Sequence, residues 1–149
     1  MARAILCGVD GSAEAQGALR VASAVAGRLG LRLVVAHVSP AALDAVGHVS
    51  RPVMTTATQE ELRAGAALLQ ELVREERLAD AEQRSEYGLP AERLADLADE
   101  ESAELIVVGS RGRGAFKAAF LGSVSHDLIG IARCPVLVVP PGASFMGRP

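Results

Sequence analysis

Tryptophan is absent from this chain of 149 residues, and aromatic residues make up only 3% of it. With half the residues hydrophobic, the core must be built from Ala, Val, Leu and Ile, which suits helices packed on a sheet. Cysteine is scarce. Cys7 and Cys134 form no Cys-x-x-Cys pair, no disulfide is expected between them, and they suit a reducing cytoplasm. His37, His48 and His126 are scattered without matching cysteines, so metal-ligand spacing is missing. No apolar run approaches the ~20 residues of a membrane span. Met1-Ala2-Arg3 leads straight into a strand, without a signal-peptide apolar region or cleavage site. The expectation is a cytoplasmic protein. A net charge of -3 gives no global reason to expect nucleic acid or an anionic membrane as partner. Walker A is also missing, since no Gly-Lys-Ser or Gly-Lys-Thr occurs.

What is present centres on Glu104 to Val139. Leu105 to Val108 reads as a buried strand. Gly109-Ser110-Arg111-Gly112-Arg113-Gly114 ends it abruptly, and a second Gly-Ser pair follows at Gly122-Ser123. Val124, Leu128, Ile131 and Ala132 then recur at helical spacing up to Arg133, where Cys134-Pro135 stops the helix. Val136 to Val139 is the next strand. Gly122-Ser123 opens the helix, so unpaired N–H groups and the positive end of the helix dipole face the loop, a place suited to phosphate. Arg111, Arg113, Lys117 and Arg133 cluster around it, which fits a few phosphates better than a polyanion.

The pattern Gly109-x-x-Gly112-(x9)-Gly122-Ser123, after a strand and before a helix, resembles the nucleotide-binding signature of the universal stress protein family. The resemblance covers nearly the whole chain. It implies an ATP-binding type in which this loop holds the phosphates and ribose. The plainer alternative is that the glycines only make turns.

The remaining elements follow in order. Ala4 to Val9 is a strand ending at Asp10-Gly11-Ser12, and Ser12 is the N-cap of a helix reaching about Leu29. Ala18, Val21, Ala22, Val25 and Leu29 form its apolar stripe, and Gly30 stops it. Leu31 to Val38 is a second strand, buried on both faces. Residues 39–58 read as a long connection, with a helical turn near Ala41 to Val46. A helix from Gln59 to about Leu78 turns Leu62, Ala66, Leu69, Leu72 and Val73 inward. Ala81 to Tyr87 is polar enough for an edge strand. Ala91 to Ser102 is a helix burying Leu94, Leu97 and Ala98. Residues 1–142 are expected to form one nucleotide-binding domain, with 143–149 a tail disordered at its end.

Five strands alternating with four helices imply an α/β fold, an open parallel sheet with helices on both faces. The resemblance implies a Rossmann-like strand order of 3-2-1-4-5. That order sets Asp10 and Gly109 together at the carboxyl ends of adjacent strands, where ligands bind in such sheets.

The resemblance then assigns roles. Asp10 lies beside the nucleotide, with an Asx-type turn as its structural alternative. Gly8 and Val9 line the same pocket with Val108, and the backbone of Val38 reads adenine. Gly109 and Gly112 permit close backbone approach and unusual dihedrals. Arg111 matches a variable ligand-side position. Gly122 opens the helix, Ser123 and Ser125 offer hydroxyl and backbone donors, and Val124 a backbone N–H. Ser123 also fits as an ordinary N-cap. His126 and Asp127 are neighbours on the helix and are not expected to face one another.

Two functions fit. One is an ATP-binding stress or signalling protein, with magnesium or manganese as an optional companion of the nucleotide and a protein partner of unknown identity. The other is a slow ATP hydrolase or phosphotransferase in the same pocket. No residue announces itself as a general base, so a dedicated enzyme is not expected. A receiver domain is excluded: the third strand ends at Tyr87-Gly88 and the fifth at Pro140, without the required Asp and Lys. Val136, Leu137, Val138 and Val139 would form an apolar outer strand, and both that edge and the resemblance imply a homodimer.

Overall fold

The computed structural model describes residues 2–40, 56–111 and 121–145. Gly112, Arg113 and Lys117, most of the expected long connection (41–55) and the end of the tail (146–149) lie outside these residues.

The elements are β1 (Ala4–Gly8), α1 (Ala13–Leu29), β2 (Arg32–Pro40), α2 (Thr56–Glu75), β3 (Glu82–Gly88), α3 (Pro90–Glu100), β4 (Ala103–Gly109), α4 (Ser123–Ile131) and β5 (Val136–Val139). The five strands form one parallel sheet in the order β3-β2-β1-β4-β5, with helices on both faces.

Alternation along the strands divides the core. Ile5, Cys7, Val35 and Val107 pack with Leu19, Ala22, Leu69 and Leu72 of α1 and α2. Leu6, Val34, Ala36, Ile106 and Val108 pack with Leu94, Leu97 and Leu128 of α3 and α4. Successive side chains on opposite faces explain why β1, β2 and β4 read as unbroken apolar runs.

β3 tolerates its polarity because it is an edge strand whose charges are paired. Arg84 contacts Glu86, Glu100 and Glu101, and Arg93 reaches from α3 to Glu86 and Glu100 at 3.1 and 2.9 Å. Arg32 on β2 joins the network through Glu82 at 2.8 Å. The opposite edge, β5, carries no charge.

Several boundaries differ from the sequence expectation. α2 lies three residues earlier and ends at Glu75, because Arg77 adopts a left-handed conformation (φ 56°) and the N–H of Leu78 turns back to the carbonyl of Val73 at 2.9 Å. Its buried stripe is Gly65, Leu69, Leu72 and Val73, so Ala66, expected inside, is exposed and Leu62 is only half-buried. Gly65 packs so closely on the sheet that a Cβ there would lie 2.5 Å from Oγ of Ser85 and 2.9 Å from Cδ2 of His37. α3 stops at Glu100, since Ser102 (φ 53°) turns the chain. α4 ends at Ile131 rather than Arg133: the carbonyl of Pro135 accepts from the N–H of Ile106 at 3.0 Å, which draws the preceding residues into an extended path. Leu29 and Ile131 end their helices exposed, against expectation. Ser39 and Pro40 extend β2 by pairing with Tyr87 and Gly88. Cys7 and Cys134 are both free thiols.

Candidate functional site

The carboxyl ends of β1 and β4 lie side by side, and the chain leaves them in opposite directions across the sheet. Such a divergence is where open α/β sheets are expected to offer a crevice at the carboxyl ends of their strands.

On the β1 side, Val9 leaves the strand but stays tied to β2. Its N–H donates to the carbonyl of Ala36 at 2.8 Å. Its carbonyl accepts from Nδ1 of His37 at 2.9 Å, so a side chain continues what the backbone ladder begins. Because the partner is a carbonyl, that ring nitrogen carries the proton. Asp10 then makes the Asx turn: its Oδ1 accepts the N–H of Ser12 at 3.0 Å, with Gly11 left-handed at φ 82°. Ser12 caps α1, its Oγ accepting from the N–H of Ala15 at 3.1 Å. Gly8 is glycine for a packing reason, since a Cβ there would stand 2.8 Å from Leu94 Cδ1. Val38, near the end of β2, is buried in the α3–α4 layer with Val108.

On the β4 side, Gly109 is needed for close approach, but the approaching group is α1. A Cβ would lie 3.2 Å from the backbone carbonyl of Glu14. Its φ is outside the left-handed region, which corrects the expectation of an unusual dihedral. Arg111 leans toward Glu14, with Nη2 3.9 Å from Oε1.

The loop is drawn shut at its base. The N–H of Gly122 donates to the carbonyl of Ser110 at 2.7 Å, and the N–H of Ser110 donates to that of Val139 at 3.0 Å. Ser125 is buried, with its Oγ 3.0 Å from the carbonyl of Gly122 and 3.3 Å from that of Ser110. Its hydroxyl therefore serves the closure, and the backbone N–H is what it has left to offer a ligand. Gly122 occupies the N-cap of α4 in an extended conformation without a side chain to cap the helix. Among the described residues, no acceptor meets the N–H groups of Ser123 and Val124. They retain the unsatisfied donors of a helix start.

Gly8, Val9, Asp10, Val108, Gly109 and Arg111 lie at or just beyond the carboxyl ends of β1 and β4, Gly122 to Ser125 lie at the start of α4, and Val38 lies near the end of β2. Sequence reading missed three participants. Ser110 was legible as the first of two Gly-Ser pairs. Neither Glu14 nor His37 carries a local signal of its contact. His126 and Asp127 correct another expectation: Nδ1 and Oδ1 do meet, at 3.3 Å, but both side chains are exposed to solvent. A groove of about 470 Å³ runs between the start of α3 (Leu89 to Glu92) and α4, sharing Ser123 and Val124 with the crevice wall. Among the described residues no three His, Cys, Asp or Glu side chains group as metal ligands, and no helix is long and apolar enough to cross a membrane.

Residues 1–140 match the profile of the universal stress protein family. A universal stress protein of Thermus aquaticus is 38% identical over 145 residues, covering 93% of this chain and 99% of that one. The chain spans about half the length of several other relatives it matches. Among solved structures, universal stress protein UspA from Lactobacillus plantarum superposes with a TM-score of 0.72 at 26% identity, over 92% of this chain and 97% of that one. A universal stress protein in complex with cAMP gives 0.71 at 25% identity, over 93% and 97%. Family profile, sequence identity and sheet topology agree: the chain belongs to the universal stress protein family.

Proposed function

We propose that this protein binds an adenine nucleotide, ATP, in the crevice between β1 and β4, and that occupancy regulates a stress response or the choice of a protein partner. The observation that carries this reading is the closure of Gly122 onto Ser110, which sets an uncapped helix start beside the loop after β4. Backbone N–H groups and the helix dipole there suit phosphate. The cAMP complex of a relative supports an adenine nucleotide as the ligand class. Residues 1–142 are the binding unit in this reading. Gly112 and Gly122 would give the phosphates room, Gly109 lets α1 pack against the end of β4, Asp10 and Val38 flank the nucleoside, and Ser123, Val124 and Ser125 offer N–H groups. A magnesium or manganese ion would travel with the phosphates, polarising them while Arg111 balances their charge. The cytoplasm suits the two free thiols.

The first test is to release and identify any nucleotide from freshly purified, undialysed protein by mass spectrometry, followed by calorimetric titration with ATP. Retained adenine nucleotide or saturable binding is expected; neither at millimolar ATP would sink the proposal. Turnover should be slow, because the chain lacks the Walker lysine that positions and stabilises phosphoryl transfer. Phosphate release on the order of 1 s⁻¹ or faster, typical of dedicated enzymes, would instead favour a hydrolase or phosphotransferase.

A further inference from the structure

Among the described residues, the ion pair between Arg111 and Glu14 is longer than the others. Arg20 meets Glu76 at 3.0 and 3.1 Å through hydrogen bonds. Arg111 stands 3.9 Å from Glu14, in charge contact but beyond hydrogen-bond reach. Its side chain is only 23% exposed, that of Glu14 27%. This guanidinium is largely withdrawn from water, yet its forked donors are not used by its partner.

The two residues also differ in how firmly they are held. Glu14 sits in the first turn of α1, where the helix dipole favours a carboxylate. Its backbone rests against Gly109 so closely that a Cβ would not fit without displacement. Arg111 has a long stem and follows directly after β4 and Ser110. When an anion enters the crevice, Arg111 is the member able to turn toward it, and Glu14 stays. Asp10, the other carboxylate at the crevice, is tied into its turn by the N–H of Ser12.

We propose that Glu14 grades this site by ligand charge: it competes with the outer phosphates of a bound nucleotide for Arg111, and so lowers the affinity for di- and triphosphates relative to less charged ligands. Glu14 is a positioning residue here, acting through Arg111 rather than by touching the ligand. The inference rests on the nucleotide-binding reading. It supplies a reason for a loose ion pair at the mouth of a phosphate site: a tight bidentate pair would withhold the arginine, and no carboxylate at all would leave triphosphate binding unopposed.

The test is calorimetric titration of adenosine, AMP, ADP and ATP, with a chelator present to remove metal counter-charge, into the parent, Glu14→Gln, Arg111→Gln and the double variant. Glu14→Gln should tighten ATP and ADP by about fivefold, the upper end of what one ion pair near the surface is worth. AMP should tighten less, and adenosine should stay within about twofold. In the Arg111→Gln background the gain from Glu14→Gln should disappear, since the two residues act as one unit. An equal effect on all four ligands, no effect, or a gain that persists in full without Arg111 would overturn the inference while leaving nucleotide binding intact. If the parent binds none of the four, the nucleotide reading itself falls and the inference falls with it.

Discussion

His37 donates from Nδ1 to the carbonyl of Val9 at 2.9 Å, and in doing so it holds the last residue before the Asp10 turn against β2. The same ring is pressed by α2, since Gly65 leaves no room for a Cβ beside Cδ2. One side chain thus joins the β1 exit, β2 and α2 just behind the crevice.

Removing that ring should loosen the turn. His37→Ala leaves the carbonyl of Val9 without its partner and should cost about 1–3 kcal/mol, the penalty for an unsatisfied half-buried group. It should also weaken nucleotide binding. His37→Asn, whose amide nitrogen reaches a similar position to Nδ1, should recover most of both. Urea unfolding and calorimetry on the two variants decide it: an alanine variant as stable as the parent would make the ring a bystander.

Nucleotide binding should depend on the loop backbone more than on any one hydroxyl. Gly122→Val puts a branched side chain at the helix start and should abolish detectable ATP binding. Ser123→Ala should weaken it by at most a few kcal/mol, because the N–H groups and dipole remain. Ser125→Ala should act chiefly on stability, since its hydroxyl faces Ser110 and Gly122. Circular dichroism confirms folding before titration. A Gly122→Val variant that binds like the parent would reduce the loop to a turn.

The protein is expected to be a homodimer through β5. The carbonyls of Pro135 and Val139 accept from Ile106 of β4 and from Ser110 just after it, so by alternation Val136 and Val138 turn their backbone groups to the open edge. Val138→Pro should then remove a donor from that edge while sparing the pairing with β4. Sedimentation of parent and variant at tens of micromolar, roughly the range of ordinary dimer affinities, should give dimer and monomer respectively. A monomeric parent, or a folded variant that still dimerises, would count against the edge.

Burial pushes the Cys7 thiol up to about 12 from an ordinary 9.0. The folded protein therefore keeps this proton where the unfolded chain releases it. The resulting stability is fully present below pH 9 and falls as pH rises from 9 toward 12. At pH 8 a thiol reagent should leave Cys7 unlabelled until urea is added. Unfolding midpoints should drop between pH 8 and pH 10, and Cys7→Ala should remove part of that drop. Rapid labelling of Cys7 in the native protein would show that the strand opens readily.

The sequence by itself determined the succession of elements, because each signal is local. Short apolar runs, period-3.6 stripes, the Ser12 cap and the left-handed Gly30 stop (φ 65°) depend on residues a few positions apart. Strand order came through resemblance to a family, since periodicity reports which face of a strand is buried and says nothing of which strand lies beside it. Only the tertiary structure decided which positions at the helix ends are covered: Leu29 and Ile131 sit on apolar stripes that run past the layer they pack on. It also decided that Gly65 rather than Ala66 is buried on α2, while Leu69, Leu72 and Val73 are buried as expected, a choice at the edge of the stripe that a helical pattern read alone leaves open. The contacts that shape the crevice are of the same kind. His37 with Val9, Glu14 with Arg111 and Ser125 with Ser110 join residues 15 to 97 positions apart, and such partners meet only once the sheet has assembled.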